Sequence, residues 1–404
     1  MYGNKIYSVI ILFVSLEISM CAGYYHDTTF IKKKILENYN TDAVPVFDTN
    51  VSLAINVSIY IMALQGLDEK NQILTTSVFW QLTWRDGILK WNDTKYKDIK
   101  RMTLKVKDVW VPDIFIVNAV NDMHMSKPKD NDYVDVMFDG QIRWFPTNHL
   151  ITSCAVDLSA FPFDVQICSI KMESWYRDSS EFVLKSNVPG IEKSEYHFVE
   201  NGEWEISNLS SCPYRFMDYD NASVYTGIEF FITLKRRPSY HILTTVVPFL
   251  VLMFLNTLSI IIPTESGEKI GFCMSQFLTM MVFLTLVSQS MPSSSLTMSY
   301  FALLVGSQIL ISGISILFVA TSIYIQCQSK NKAKQSKVLT TLLAPSLCFR
   351  FLCRSCNEGS SQLKLRDFIK WEYLDQEINC ILKGVLLINI AVSPTLYTIL
   401  VWYS

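Results

Sequence analysis

Two hydrophobic patterns divide this chain near residue 238. Upstream, apolar positions recur every second residue. Val51, Leu53, Ile55, Val57, Ile59 and Ile61 fall on one face, and Ser52, Asn56 and Ser58 on the other. Val224, Thr226, Ile228, Phe230, Ile232 and Leu234 alternate in the same way with Tyr225, Gly227, Glu229, Phe231, Thr233 and Lys235. A period of two is that of a half-buried strand. Several such segments with turn residues between them predict a β-sandwich over residues 24–238.

Downstream, the pattern changes to long uncharged runs. No charged residue occurs from Ile270 to Ser329, a stretch that fits two spans with a turn at Ser290-Met291-Pro292-Ser293. Tyr240–Pro263 and Gly384–Tyr403 are also free of acidic and basic side chains apart from His241. Four membrane-spanning helices are therefore expected, over residues 240–262, 268–289, 300–325 and 381–402. The expected division is 239–326 for the first three helices, 327–380 for a cytoplasmic loop with an amphipathic helix over 361–380, and 381–404 for the fourth helix and a short extracellular C-terminus. Residues 1–23 combine Lys5, the apolar run Val9–Val14 and the small residues Ala22 and Gly23, as a cleaved secretory signal does; the alternative is a short membrane anchor.

Charge sets the orientation. Nine Lys/Arg residues lie between Lys330 and Lys370 against only Glu358 and Asp367, which places that loop in the cytoplasm. Five N-x-S/T sequons, at Asn50, Asn56, Asn92, Asn208 and Asn221, all precede the first span, so the sandwich is expected outside the cell. The net charge of −2 over 404 residues offers no basic face for nucleic acid. No nucleophile–base or metal-ligating constellation stands out, so neither an enzyme nor a cofactor or metal is expected.

Two features carry candidate chemistry. Cys154 and Cys168 enclose thirteen residues that include Phe161-Pro162-Phe163-Asp164. In an oxidising compartment they can pair, and closing such a ring is worth roughly 3 kcal/mol by chain entropy. The ring reads either as an ordinary hairpin staple or as a knob that presses on the span connections. Cys212 is left over: free, paired with another subunit, or paired with Cys21. In the second span, Gly271, Ser275, Leu278, Val282, Thr285 and Gln289 fall on one stripe at helical spacing, with Glu268 just before it. Several copies of such a stripe would line a conduit with apolar rings at Leu278 and Val282 and a carboxylate ring at one mouth. Taken alone, Glu268 is also a favourable charge at a helix N-terminus.

The segments Cys154–Cys168, Val109–Ile116, Gly66–Thr76 and Ser266–Phe272, in this order and spacing, resemble the pentameric Cys-loop ligand-gated ion channels. Glu200–Ser207 and Glu229–Tyr240 are most similar to the type-3 serotonin receptors, with the nicotinic receptors next. The resemblance implies five subunits, alike or mixed, around a pore for monovalent cations. It implies a small cationic amine as transmitter, bound between neighbouring extracellular domains, and a place in the plasma membrane, postsynaptic in the family. The family's anion channels carry a Pro-Ala type insertion at the pore mouth, absent here.

The resemblance also implies roles for residues. Trp175 and Tyr225, with Phe216 and Tyr219 as neighbours, match the principal ligand face; Phe79, Gln81 and Phe145 match the complementary face. Alternation along this strand puts Trp80, Leu82 and Trp84 in the core instead. An indole face such as that of Trp175 can hold an ammonium for about 0.5–2 kcal/mol. The serotonin branch's amine-binding acid falls at Asn118, its complementary tryptophan is Phe79, and no vicinal cysteine pair stands near Tyr225. These departures point to a ligand other than serotonin or to an accessory subunit active only in heteromers. A non-conducting, membrane-tethered binding protein is the alternative of another class, and the polar stripe argues against it. Glu69, Phe163 and Arg236 match positions that couple binding to gating, facing the connection 290–299 with a half-shielded acid–base pair as a latch.

Overall fold

The computed structural model describes residues 28–46, 51–96, 98–125, 132–195, 197–218, 223–259, 261–263, 267–291 and 298–330, with isolated helical residues between 380 and 398. The expected signal segment, Asn50, Tyr219, Asn221, the cytoplasmic loop and most of the fourth span lie outside the described residues. The chain forms two compact units. One comprises Met1–Val156 with Val165–Lys235, the other Asp157–Asp164 with Arg236–Ser404.

The first unit is a sandwich. Its strands are β1 (Leu53–Asp68), β2 (Ile73–Arg85), β3 (Arg101–Lys105), β4 (Phe115–Ile116), β5 (Tyr133–Met137), β6 (Gln141–Trp144), β7 (Thr147–Ser153), β8 (Val165–Glu173), β9 (Phe182–Lys193), β10 (Trp204–Met217) and β11 (Val224–Arg236). One sheet has the order β3-β5-β6-β2-β1-β9, with β7 also paired to β2; the other is β10-β11-β8-β4. The alternation along β1 and β11 gives each strand one buried face, as its sequence predicts. Val51 is the exception: β1 begins only at Leu53, and Val51 is exposed. Trp80 meets Phe230 edge-on at 5.9 Å, and Trp110 packs between Trp84 and Phe182, so large aromatic rings fill the core. A disulfide joins Cys154, just past β7, to Cys168 on β8, stapling one sheet to the other.

The second unit is helical and includes the tip of the cysteine ring. Helices long and apolar enough to cross a membrane are Ser239–Leu258, Lys269–Gln289 and Tyr300–Tyr324. The first ends at Leu258, short of the expected residue 262. Its turns at Ile242–Val246 widen to π geometry immediately before Pro248. Proline lacks the N–H that would close the preceding turn, so the backbone relaxes there. Phe249, Met253, Met280, Val287, Phe301 and Val305 form one core, against which Phe161 of the ring packs. Polar contacts also tie the helices together: Asn256 Nδ2 donates to Ser312 Oγ at 2.9 Å, and Gln276 Nε2 to the Leu252 carbonyl at 2.9 Å. Leu382 and Leu386 pack with Cys273 and Val319, so part of the C-terminal stretch joins the same bundle.

Arg236 and Asp164 meet where these helices begin. The β8–β11 register pairs Lys235 with Val165, and one step further Arg236 N–H donates to the Asp164 carbonyl. The guanidinium then donates to both carboxylate oxygens, at 2.7 and 3.1 Å, with the two side chains 1% and 2% exposed. Arg236 also lies 5.3 Å from the Phe161 ring centroid. This corrects the expectation of a half-shielded latch: Arg236 is paired with Asp164 and fully buried. Removing one partner of such a pair strands a charge at a cost of about 3–5 kcal/mol, whereas replacing both with apolar groups is often neutral. Arg236→Met is therefore expected to abolish surface delivery of the chain, and Arg236→Met with Asp164→Leu to restore much of it. Cell-surface biotinylation and the melting temperature of detergent-purified protein check both outcomes.

Candidate ligand site and conduction helix

The outer face of the four-stranded sheet gathers the first aromatic cluster. β8 turns Lys171 and Glu173 outward while Ile170 and Met172 are buried, and Trp175 follows at the end of the strand. Trp175 is 42% exposed and stacks on buried Phe115 at 4.7 Å, 13° from parallel. The loop that carries it is held by its own polar residues. Ser174 Oγ donates to the Arg177 carbonyl at 2.7 Å, and Ser179 N–H to the Val224 carbonyl at 2.7 Å. Ser180 Oγ donates to Asp178, a bond that holds that carboxyl below the usual range. Arg177 reaches Glu181 and the carbonyl of Asp42.

The β10–β11 hairpin carries further rings. Tyr225 stacks on Phe216 at 5.5 Å, and Tyr214 lies 6.1 Å beyond. The Tyr214 hydroxyl donates to Glu173 at 2.5 Å, and burial together with that carboxylate pushes its pKa well above the ordinary tyrosine range. Gly227 pairs with Glu173 across the strands and makes this possible: a Cβ there would sit 2.5 Å from the Tyr214 ring. Lys171 is paired with Glu229 at 3.3 Å, and among the described residues no cation pairs with Glu173.

The second cluster lies on the other sheet. Phe79 and Gln81 point outward from β2 while Trp80, Leu82 and Trp84 are buried, as the alternation predicts. Phe79 stacks on Tyr60 at 4.6 Å, the Tyr60 hydroxyl donates to Gln81, and Phe145 is exposed nearby, one residue before the Pro146 carbonyl that accepts from Trp80 N–H. Among the described residues, no ring of this cluster stacks on Trp175, Phe216 or Tyr225, so the chain carries two separate aromatic clusters. Asn118 faces neither. Its amide donates to the carbonyls of Ser169 and Ser153, at 2.8 and 3.3 Å, and accepts from Lys171 N–H at 3.0 Å. Its side chain is thus spent on the backbone.

The helix Lys269–Ser290 turns two faces to different surroundings. Cys273, Gln276, Met280 and Val287 are buried against the neighbouring helices. Gly271, Ser275, Leu278, Val282, Thr285 and Gln289 are exposed, with Leu278 at 65% and Val282 at 51%; Phe272, Phe277, Phe283 and Leu284 are intermediate. Glu268 occupies the N-cap position, is exposed, and makes no side-chain cap bond, so the helix end does not consume its carboxylate.

The profile described as the neurotransmitter-gated ion-channel ligand binding domain matches residues 28–238, more than half of the chain. The chain belongs to the neurotransmitter-gated ion-channel family. The family's transmembrane region matches residues 245–362. Family membership makes this a multi-pass membrane protein with an extracellular N-terminal domain, and not an enzyme. Relatives include the rat (Rattus norvegicus) neuronal acetylcholine receptor subunit alpha-2, 29% identical over 80% of this chain and 61% of its own length. The guinea-pig (Cavia porcellus) 5-hydroxytryptamine receptor 3A is 28% identical over 65% and 53%. The mouse (Mus musculus) alpha-6 acetylcholine receptor subunit is 31% identical over 72% and 57%. The chain thus spans about six-tenths or less of the length of these relatives. Nicotinic subunits are as similar to it as the serotonin receptor is, so the likeness reaches the family and not one branch.

Within this family frame the remaining positions divide. Phe163 of the ring is 49% exposed, whereas Phe161 makes the contacts to His241 and Phe301, at 5.2 and 6.1 Å, that sequence reasoning did not assign. Glu69 lies in the β1–β2 turn, half-exposed. Asn56, Asn92 and Asn208 are at least partly exposed, and Cys212 is an exposed free thiol. Glu173 and Tyr214 were missed, although Glu173 shares the i, i+2 alternation with Trp175 and could have been found from it.

The Gly227–Tyr214 contact is open to test. Gly227→Ala is expected to displace Tyr214 at a cost of about 1–3 kcal/mol. Tyr214→Ala in the same chain should remove most of that penalty. The coupling is read as melting-temperature differences in a double-mutant cycle on the full chain.

Proposed function

We propose that this chain is one subunit of a pentameric, cation-selective channel of the plasma membrane that a small cationic amine opens from outside. The observation that carries the reading is the exposed stripe of the second span. The second helix leaves Gly271, Ser275, Thr285 and Gln289 uncovered. In lipid such polar groups are costly; facing water shared by several copies, they are not. Five copies would set Leu278 and Val282 as apolar rings that stop ions by dewetting, and Glu268 as a carboxylate ring that favours cations.

The ligand half of the reading rests on the two separate aromatic clusters. Each is too open to enclose a small molecule alone. Joined across two copies, Trp175, Phe216 and Tyr225 would face Phe79, Gln81 and Phe145 around an ammonium. The matching position for an acid is Asn118, whose amide is occupied. Glu173, one strand pitch from Trp175 and without a cation partner among the described residues, supplies the countercharge instead. A second reading, an accessory subunit that conducts only beside relatives, is favoured by Phe79 in place of the family's complementary tryptophan.

Expression of the chain alone in oocytes under voltage clamp, with a panel of primary amines and choline esters, tests the proposal. Current whose reversal potential follows external sodium supports it; silence alone but current beside a relative supports the accessory reading. Glu268→Gln is expected to shift the reversal potential under a sodium chloride gradient toward that of a non-selective pore, and an unmoved potential would place the selectivity ring elsewhere. Glu173→Gln is expected to raise the half-maximal amine concentration about tenfold or more, the loss of one charge-assisted contact of roughly 1.5–3 kcal/mol.

A further inference from the structure

A cavity of about 620 Å³ is lined by residues other than Trp175, Tyr225 and Phe79. Asp42, Lys107, Trp110, Asp113, Tyr176 and Arg177 line it, with Thr41 beside them. The inner walls are fixed. Tyr39 donates to buried Asp86 at 2.6 Å and accepts from Trp110 N–H at 3.1 Å, while Lys32 pairs with Asp108 at 3.3 Å. Tyr176 differs: it is largely exposed, and among the described residues its ring contact is with Phe115, edge-on at 5.6 Å. Phe115 in turn carries Trp175.

The charges lining the cavity are not balanced. Arg177 is committed to Glu181 and the Asp42 carbonyl, and Lys107 has a partner of its own. The Asp42 and Asp113 carboxylates accept no hydrogen bond and join no ion pair among the described residues. His124 and Arg177 act on Asp113 only through longer-range charge, and burial holds it above the usual carboxylate range. A half-buried carboxylate without a partner beside an exposed tyrosine ring is the recognition chemistry of an organic cation. Among the described residues no group of three metal-ligating side chains occurs, which favours an ammonium over a metal ion.

We propose that this cavity is a second ligand site, within one subunit, for a small aromatic amine that docks its ammonium on Asp113 under Tyr176 and acts on Trp175 through Phe115. The modulatory part rests on the channel reading above; the binding part does not. An occupant that fixes Tyr176 also fixes the ring behind Trp175, so the two sites share one aromatic stack and their affinities are linked.

The test uses the full chain with Cys212→Ser and a reporter Thr41→Cys at the cavity wall, labelled at the cell surface and read by mass shift. A cationic methanethiosulfonate should label the reporter at least about threefold faster, relative to its sulfonate counterpart, than it does after Asp113→Asn, as expected for one carboxylate within about 10 Å in water. Benzyltrimethylammonium should slow labelling while benzyl alcohol does not. That protection should vanish with Asp113→Asn and weaken with Tyr176→Ala, yet persist with Tyr225→Ala, which damages only the other site. A reagent ratio unmoved by Asp113→Asn, or protection that follows Tyr225 and ignores Asp113, overturns the proposal. Because labelling needs no current, a protected reporter in a chain that is silent both alone and beside a relative sinks the channel reading and leaves this site standing.

Discussion

Nine consecutive residue pairs lock β8 to β11, from Gly227 against Glu173 to Lys235 against Val165. Two structural requirements sit at the ends of this one ladder. At one end the register sets Glu173 beside Gly227 and brings Trp175 and Tyr225 onto a common face. At the other it delivers Asp164 and Arg236 to each other with their backbones already hydrogen-bonded. A slip of one residue would turn every side chain on one strand to the wrong face and separate both pairs. The alternation of apolar residues on β8 and β11 opposes such a slip, because it would expose Ile170, Ile228, Phe230 and Ile232 together. The disulfide adds a covalent stop, since Cys168 lies within the ladder and Cys154 on the opposing sheet.

Energetically the two ends differ in kind. The aromatic face is built from exposed rings and charge-assisted hydrogen bonds, each of which contributes modestly. The Asp164–Arg236 pair is buried, and a two-point geometry and the Phe161 face beside the guanidinium help to offset its desolvation cost. That contrast suits a receptor. In the proposed reading the exposed aromatic face would meet the ligand, while the buried ion pair is fixed by its own geometry.

Much of this was legible in the residues because it depends on local periodicity. The spans follow from runs without charge, the strands from period two, and the outward side of Lys269–Ser290 from period 3.6. Even the outward placement of Phe79 and Gln81 follows from alternation with Trp80 and Leu82. What was not legible depends on pairs distant in sequence. Nothing near Arg236 announces Asp164, seventy-two positions away, and the ring between the cysteines has no period to tell Phe161 from Phe163. Asn118 illustrates the same limit. Its type is compatible with a ligand contact, and only the three backbone groups around it show that its amide is already used.

Glu173 and Gly227 show how a face can keep its charge while its positions change. A glycine opposite the carboxylate admits the Tyr214 ring, and that ring orients the carboxylate beside Trp175 by a 2.5 Å hydrogen bond. With a larger residue at 227 the hydroxyl could not reach, and Glu173 would be a solvated surface acid of no particular direction. The acid therefore has meaning only together with an absent side chain on the neighbouring strand. For the same reason the aromatic residues of this face cannot be judged singly. Phe115 is buried core by its exposure, yet it is the plate on which Trp175 rests and a ring that Tyr176 meets edge-on. Core and site are here one stack, so a substitution made to probe the ligand face will also be felt in packing, and only paired substitutions separate the two.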